Sequence, residues 1–312
     1  MIKYLLKRTL RSLLTLFIIL GVVFVLLRQM PLTGYFPNLD KMTDEQVRVG
    51  LHEMRLDLPM HEQLFYFYKD LLHGDLGLSR IYRTNVPVTE ILAPKIPVSV
   101  QLGVLSILVA LLLGLPLGVL MAKYKSRAFD KMGTGFIVLI QAVPAAVYFL
   151  FIQLYGTELF KIKMLFDASD VRSWILPVFS MSLGNIAYYA MWIRRYMVDE
   201  SHKDYVMLAR IKGVSPGRIM FGHVFRNAFV PMIQYVPTSF LNTVIGSIYI
   251  ESLYSIPGMG GLLVDVVKRM DNAMVQGIVL LFACVGIIGL MIGDVLMVLL
   301  DPRINLSKKE GR

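Results

Sequence analysis

Residues 204–231 read DYVMLARIKGVSPGRIMFGHVFRNAFVP, a basic, helix-compatible stretch between two runs apolar enough to cross a bilayer. From Asp204 to Lys212 the chain has neither Gly nor Pro, and Tyr205, Leu208 and Ala209 recur on one stripe at i, i+3 and i+4. Gly213 then ends the helix, because a residue without Cβ reaches the left-handed conformation that closes a helical turn. Ser215-Pro216 offers a capping hydroxyl and a proline preset for the first helical position, so a second helix starts there. Along it Arg218 and Arg226 flank Gly222 on one face, while Met220, Val224 and Ala228 line another. A polar two-helix module placed between spans suits the membrane–water boundary. It reads either as a docking element or as an amphipathic connector held by anionic headgroups.

The composition on either side of the module calls for a bilayer. Hydrophobic residues make up 56% of the chain, above the apolar share of about 45–50% in soluble proteins, and the mean hydropathy is +0.61. A crossing helix needs about 20 mostly apolar residues, and six stretches qualify: 10–27, 98–122, 133–155, 173–192, 229–250 and 273–300. The expected fold class is therefore an all-α membrane protein with six transmembrane helices. The first run is followed by Arg28-Gln29-Met30-Pro31 rather than a small-residue cleavage site, so it is expected to remain as an anchor.

The net charge of +10 does not point to nucleic acid, because the basic residues gather beside alternate ends of the spans. Lys3, Lys7, Arg8 and Arg11 precede the first, Lys123, Lys125, Arg127 and Lys131 follow the second, Arg194, Arg195 and the basic residues of 203–226 lie between the fourth and fifth, and Arg303, Lys308, Lys309 and Arg312 close the chain. By the positive-inside rule both termini and the two-helix module face the cytoplasm. The expected organisation is an N-terminal segment with the first span (1–30), an extracytoplasmic subdomain (31–97), a five-helix core (98–300) carrying the loop 199–228, and a cytoplasmic tail (301–312).

In the subdomain acidic residues slightly outnumber basic ones. Thr43-Asp44-Glu45-Gln46 reads as a helix start, and MHEQLFYFYKDLL (60–72) as a helix ended by Gly74. Leu64, Phe65, Tyr68, Leu71 and Leu72 carry too much apolar surface to leave in water, so this helix should pack on the outer ends of the spans.

Four groups of residues share their order with one family. Asp204-Tyr205, Ala209-Arg210, Lys212-Gly213, His223-x-x-Arg226-Asn227-Ala228 and Pro231 resemble the cytoplasmic signature loop of ABC importer permeases, in the version found in dipeptide and oligopeptide transporters. Leu56-Asp57-Leu58-Pro59 with Gln63, Gly74-Asp75-Leu76-Gly77 with Ser79, and Pro87-Val88 before Pro97 are similar to the same family's outer loop. Pro257-Gly258-Met259-Gly260 resembles its turn between the last two spans, and Asp301-Pro302-Arg303-Ile304 its tail. Two departures stand out. Met207-Leu208-Ala209 replaces the Glu-Ala-Ala triplet of the wider family, and Leu32-Thr33-Gly34-Tyr35-Phe36 follows Pro31 where a Gly-Asp-Pro-like turn is usual.

The resemblance implies a type I importer permease, the first of two paired permeases, in a bacterial or archaeal cytoplasmic membrane. Its partners would be a second permease, two cytosolic ATPases that hold ATP and Mg, an extracytoplasmic peptide-binding protein, the peptide cargo and membrane lipid. It further implies a coupling helix in which Tyr205, Leu208 and Ala209 form the packing face, Asp204, Arg210 and Lys212 supply charge, and Gly213 sets the angle of the next helix. Related permeases for nickel or a nickel chelate share these motifs and form the alternative. An ion-coupled secondary transporter would need an inverted repeat and mid-membrane acids that the sequence does not show.

No Gly-x-x-x-x-Gly-Lys-Ser/Thr loop occurs, so no nucleotide cradle is expected in this chain. His52, His61, His73, His202 and His223 lack metal spacing, no catalytic set is recognisable, and Cys284 stands alone in an apolar run. Polar groups inside the spans must face the bundle, a cavity or a partner. Gln141, Asn185, Asn242, Thr243 and Ser247 are therefore candidates for a translocation path, with Pro231 and Pro237 loosening the fifth span, and interhelical hydrogen bonding is the competing role. Asp294, near the cytosolic end of the last span, is expected to be anchored by water or Arg303. The runs Gly114-x-x-x-Gly118, Gly286-x-x-Gly289 and Gly293 allow close helix approach.

Overall fold

Prolines and glycines mark most of the breaks in an otherwise helical chain, for which a computed structural model describes residues 2–36, 39–233 and 235–300. In chain order the helices are α1 (Ile2–Arg28), α2 (Asp44–Glu53), α3 (Met60–Leu72), α4 (Val88–Leu92), α5 (Ile96–Lys123), α6 (Ala128–Ala142) and α7 (Ala145–Phe160). They continue with α8 (Ile175–Glu200), α9 (Asp204–Ile211), α10 (Pro216–Arg218), the π-helical turn Ile219–Phe225, α11 (Arg226–Ile233), α12 (Tyr235–Tyr254), α13 (Met259–Lys268) and α14 (Asn272–Leu300). Among the described residues the sheet is one antiparallel hairpin of β1 (Leu78–Ser79) and β2 (Val86–Pro87). This is an all-α membrane protein.

Three runs among the described residues are by themselves long and apolar enough to cross a membrane: Thr9–Arg28, Val88–Lys123 and Asn272–Gly293. The number reaches five if two bent pairs, α6 with α7 and Ile248–Tyr254 with α13, are each one span. The third expected span, 133–155, is thus not one straight helix, because α6 and α7 meet at 106°. Pro144 causes the break. It has no N–H to continue the ladder and it pushes the preceding residue out of the helical region, so Val143 adopts φ −86 ψ 128. The fourth expected span is α8, whose apolar run is diluted by Ser180, Ser182 and Asn185.

The chain forms two compact units. One comprises Val100–Ile256 with residues 288–300, and α8 is its centre. Leu183, Ile186, Tyr189, Ile193 and Met197 recur at helical spacing along α8 and are buried with Ala110 and Val119 of α5. Gly114 and Gly118 are what let α5 lie so close. A Cβ on Gly114 would stand 2.9 Å from the Ile186 carbonyl oxygen, and one on Gly118 2.6 Å from that of Ala190. The same unit holds an ion pair that the sequence reading did not single out. The Arg194 guanidinium on α8 grips the Asp130 carboxylate on α6 through both Nε and Nη2, the latter at 2.8 Å, and Asp130 also accepts from the Ser126 N–H at 2.8 Å.

The other unit comprises Ile2–Ser99 and Pro257–Ile287. Its α2 starts as expected at a capping box: Thr43 Oγ1 accepts from the Gln46 N–H, and Gln46 Oε1 accepts from the Thr43 N–H at 2.9 Å. Helix α3 packs on α1, where the Tyr68 hydroxyl donates to the Phe17 carbonyl at 2.6 Å and Phe24 stacks on Phe67 at 4.8 Å. Phe65 and Leu72 of α3 instead point outward, at 65% and 87% exposure. A core of Val88, Ile91, Leu92, Leu262, Val266, Met274 and Ile278 joins α4, α13 and α14. Beside it lies Asp271, fully buried. One oxygen of its carboxylate accepts from the Ser79 hydroxyl (2.7 Å) and from the N–H groups of Arg80 (3.2 Å), Ile81 (3.0 Å) and Tyr82 (2.9 Å). The other accepts from the Met274 N–H at the start of α14 (3.3 Å).

Candidate functional site

Helix α9 is short because its two ends are fixed by chemistry written in the sequence. Asp204 lies in its first turn, where a carboxylate is favoured by the helix dipole. At the other end Gly213 sits at φ +71, with its N–H bonded to the Arg210 carbonyl (3.0 Å) and the Val214 N–H to the Ala209 carbonyl (3.1 Å). That pair of bonds is the Schellman closure, which requires the left-handed residue glycine supplies. No atom lies within 4 Å of a Cβ built on Gly213, so a side chain there would be strained by its backbone alone.

The stripe expected at Tyr205, Leu208 and Ala209 is divided between two faces. Tyr205 and Ala209 turn inward around Val206, which is 1% exposed and belongs to the same core as Ile219, Val224, Ala228 and Met232. The Tyr205 hydroxyl donates to the Glu200 carboxylate at the end of α8 (2.7 Å). Burial, together with that carboxylate, pushes the phenol up to about 12. Leu208 falls on the outer side with Met207 and Ile211, at 52%, 66% and 77% exposure. Asp204, Arg210 and Lys212 are exposed beside them. Helix α9 is therefore two-sided, with one apolar face built into the protein and a second apolar face turned to solvent within a charged rim. Met207 and Ile211 could have been found from sequence, since they stand at i and i+4 and Leu208 is three residues before Ile211.

The second helix of the module begins with Pro216 at its first position, as expected, but the Ser215 side chain makes no capping bond. The π-helical turn then changes which residues face inward. Ile219 and Val224, five residues apart, are buried, and Ala228 and Met232 follow at steps of four. Ile219 rather than Met220 therefore holds the buried position, because a π turn takes more residues than an α turn. Val224 and Ala228 lie where expected.

The polar candidates in the spans do not form one set. Asn185 of α8 donates to the Thr243 hydroxyl of α12 (3.0 Å), and Thr243, 4% exposed, donates to the Ser239 carbonyl. This is an interhelical hydrogen bond. Gln141, at the end of α6, is exposed, and its amide nitrogen lies 3.7 Å from the Met191 sulfur. The side chains of Asn242, Ser247 and Asp294 lie outside the described residues, as does Arg303. A polar residue the sequence reading passed over, Gln153 of α7, is 4% exposed and donates to the carbonyls of Met164 (3.2 Å) and Leu253 (2.8 Å). It was legible as a lone amide within an apolar run. Among the described residues no group of three or more His, Cys, Asp or Glu is placed to hold a metal ion.

Residues 114–306 match the family model described as binding-protein-dependent transport system inner membrane component. The chain is similar to the dipeptide transport system permease protein of Lactococcus lactis, with 31% identity over 98% of this chain and 100% of that protein. It is 32% identical to the protein of the same description from Bacillus subtilis, over 99% of this chain and 100% of that one. With the oligopeptide transport system permease protein of Salmonella typhimurium the identity is 29%, over 98% and 100%.

Proposed function

This chain belongs to the binding-protein-dependent transport system inner membrane components, and from that premise we propose that it is a permease subunit of an ATP-driven peptide importer in a bacterial cytoplasmic membrane. Family membership makes it a membrane component of a transport system, and in this reading it is not itself an enzyme. In this reading a second permease completes the translocation path, two cytosolic ATPases bind and hydrolyse ATP, and an extracytoplasmic receptor delivers the peptide. The names of the relatives support peptide cargo and do not favour nickel.

One observation carries the coupling role: α9 has an apolar outer face of Met207, Leu208 and Ile211 and an inner face locked to α8 and to the core around α11. A groove on an ATPase would cover the outer face, with Arg210 and Lys212 meeting its rim. Because Val206 and Tyr205 bind α9 to its neighbours, a displacement of α9 when the ATPases close would pass to the bundle rather than be absorbed in a loose loop. The test is a cysteine scan of α9 in the assembled complex. Cysteines at 207, 208 and 211 should crosslink to an ATPase subunit and one at 206 should not. Crosslinking of these positions to the external receptor would overturn both the topology and the role.

A further inference from the structure

We propose that the turn between α5 and α6 binds one anionic phospholipid of the cytosolic leaflet, its headgroup held by Lys123, Lys125, Arg127 and Lys131 and an acyl chain laid along α6. Such binding requires only the membrane fold, whose cytosolic face is given by the distribution of charge, and it is independent of the cargo.

The four cations stand between the last residue of α5 and the first turn of α6, and all are exposed. The one acid of the turn is directed away from them. Asp130 is 3% exposed, and its carboxylate is engaged by Arg194 of α8 and by the Ser126 N–H. Among the described residues none of the four cations forms an ion pair. Like charges so close repel one another, and the chain supplies no counter-charge to relieve them. The backbone that presents them is ordered. Ser126 takes the left-handed conformation at φ +66, the Arg127 N–H donates to the Tyr124 carbonyl (2.9 Å), and the Tyr124 ring meets Phe129 edge-on at 6.2 Å between centres.

Apolar surface begins at the same place. Phe129 and Met132, 39% and 74% exposed, lie in the first two turns of α6, and Gly135, Val138 and Leu139 continue the exposed strip at helical spacing. No atom lies within 4 Å of a Cβ built on Gly135, so the strip has room for an alkyl chain. A soluble anion matches the cations but not the strip. A zwitterionic lipid matches the strip, but its own amine competes with the cations for its phosphate. A phospholipid with a net negative headgroup matches both. The Arg127 guanidinium suits two phosphate oxygens at once, and the lysines supply charge around it. Each basic residue near a membrane surface is worth about fivefold in preference for anionic lipid.

The test places the protein, with the subunits that copurify with it, in nanodiscs of equal parts phosphatidylcholine and phosphatidylglycerol. Benzoylphenylalanine in place of Met132 is photoactivated, and its adducts are identified by mass spectrometry. Phosphatidylglycerol adducts should exceed phosphatidylcholine adducts about tenfold or more, and adding Lys125→Gln with Arg127→Gln should lower that ratio about fivefold or more. Glycerol phosphate in the buffer should leave the ratio unchanged. No lipid adduct, adducts in bilayer proportion, or a ratio that the double substitution does not lower would overturn the proposal. So would a ratio abolished by glycerol phosphate, which would make the turn a site for soluble phosphate, and adducts mainly to an ATPase subunit, which would make it a protein contact. The comparison of the two lipids with only the probe in place stands even if the double variant does not fold. No transport is measured, so failure of the peptide reading leaves this result intact.

Discussion

Replacing Asp271 by alanine should release the segment from Ser79 to Tyr82 while leaving the helices in place. The carboxylate is fully buried and satisfies the Ser79 hydroxyl, three successive backbone N–H groups and the Met274 N–H. Alanine strands those donors, and a buried donor without a partner costs about 1–3 kcal/mol. The terms are not additive, and water entering the emptied space repays part of them, so the working figure is about 3 kcal/mol for local opening, or about a hundredfold in its equilibrium. Hydrogen exchange read by mass spectrometry on the purified protein reports this at residues 80–82, whose amides should lose about two decades of protection. Asp271→Asn keeps one carbonyl acceptor but turns a donor toward other donors, so it should fall between alanine and the native residue. Unchanged protection in both variants would show that the N–H groups of residues 80–82 do not depend on the carboxylate, and the account of this loop would fail.

Gly213→Val forces a β-branched residue to φ +71, a strain of about 1–3 kcal/mol, and should abolish uptake and substrate-stimulated ATP hydrolysis while the complex still assembles; normal uptake would remove Gly213 from the coupling role. Gly118→Ala places a Cβ 2.6 Å from the Ala190 carbonyl and should destabilise the protein by about 1–3 kcal/mol through overpacking, visible as a lower melting temperature in nanodiscs. A Gly118→Ala protein that melts with the native one would mean that α5 and α8 separate freely. The Tyr205 phenol, with a folded value of about 12 against an ordinary 10.0, binds its proton more tightly folded than unfolded. Its contribution to stability is therefore complete below pH 10 and declines as pH rises toward 12. Tyr205→Phe should be less stable than the native protein at pH 8 and lose less on going to pH 11, and parallel melting curves across that range would refute the burial of the phenol beside Glu200.

What the sequence made legible was whatever depends on local chemistry. The Thr43 capping box, the bounds of the helix at 60–72, the closure at Gly213 and the proline at the start of the following helix are short-range consequences of residue type, and each lies where it was expected. The break at Pro144 was also local, but a count of apolar residues does not register a backbone that turns through 106° without losing hydropathy. The division of the Tyr205, Leu208, Ala209 stripe has another cause. Periodicity shows that an apolar arc exists but not where its centre lies, and Val206 moves that centre so that Leu208 falls outside. Ile219 took the buried position beside Met220 because a π turn has no periodic signature in seven residues. Asp271 and the Asp130–Arg194 pair were illegible for a different reason. Their partners lie 192 and 64 residues away, and nothing in a charge pattern tells a buried carboxylate from a solvated one.

These two buried carboxylates do different work, and the difference follows from what each one holds. Asp271 binds backbone N–H groups and a helix start within one unit, contacts that only a fixed loop geometry satisfies, so it favours a rigid loop. Asp130 binds a side chain on another helix, and a guanidinium can follow a carboxylate through a small rotation without losing both of its bonds. An ion pair of that kind keeps α6 and α8 associated while α8 turns. Helix α8 also carries Glu200, the acceptor for Tyr205, and contributes Ile193 and Met197 to the core that contains Val206. A push on α9 therefore reaches α8 by a hydrogen bond and by packing, and α6 moves with it through Asp130. The glycine-lined approach of α5 at Gly114 and Gly118 leaves no space there for α8 to move independently of α5. The unit around α8 is thus connected so that a displacement of α9 would be carried to α5, α6 and α8 together, as the proposed coupling role requires.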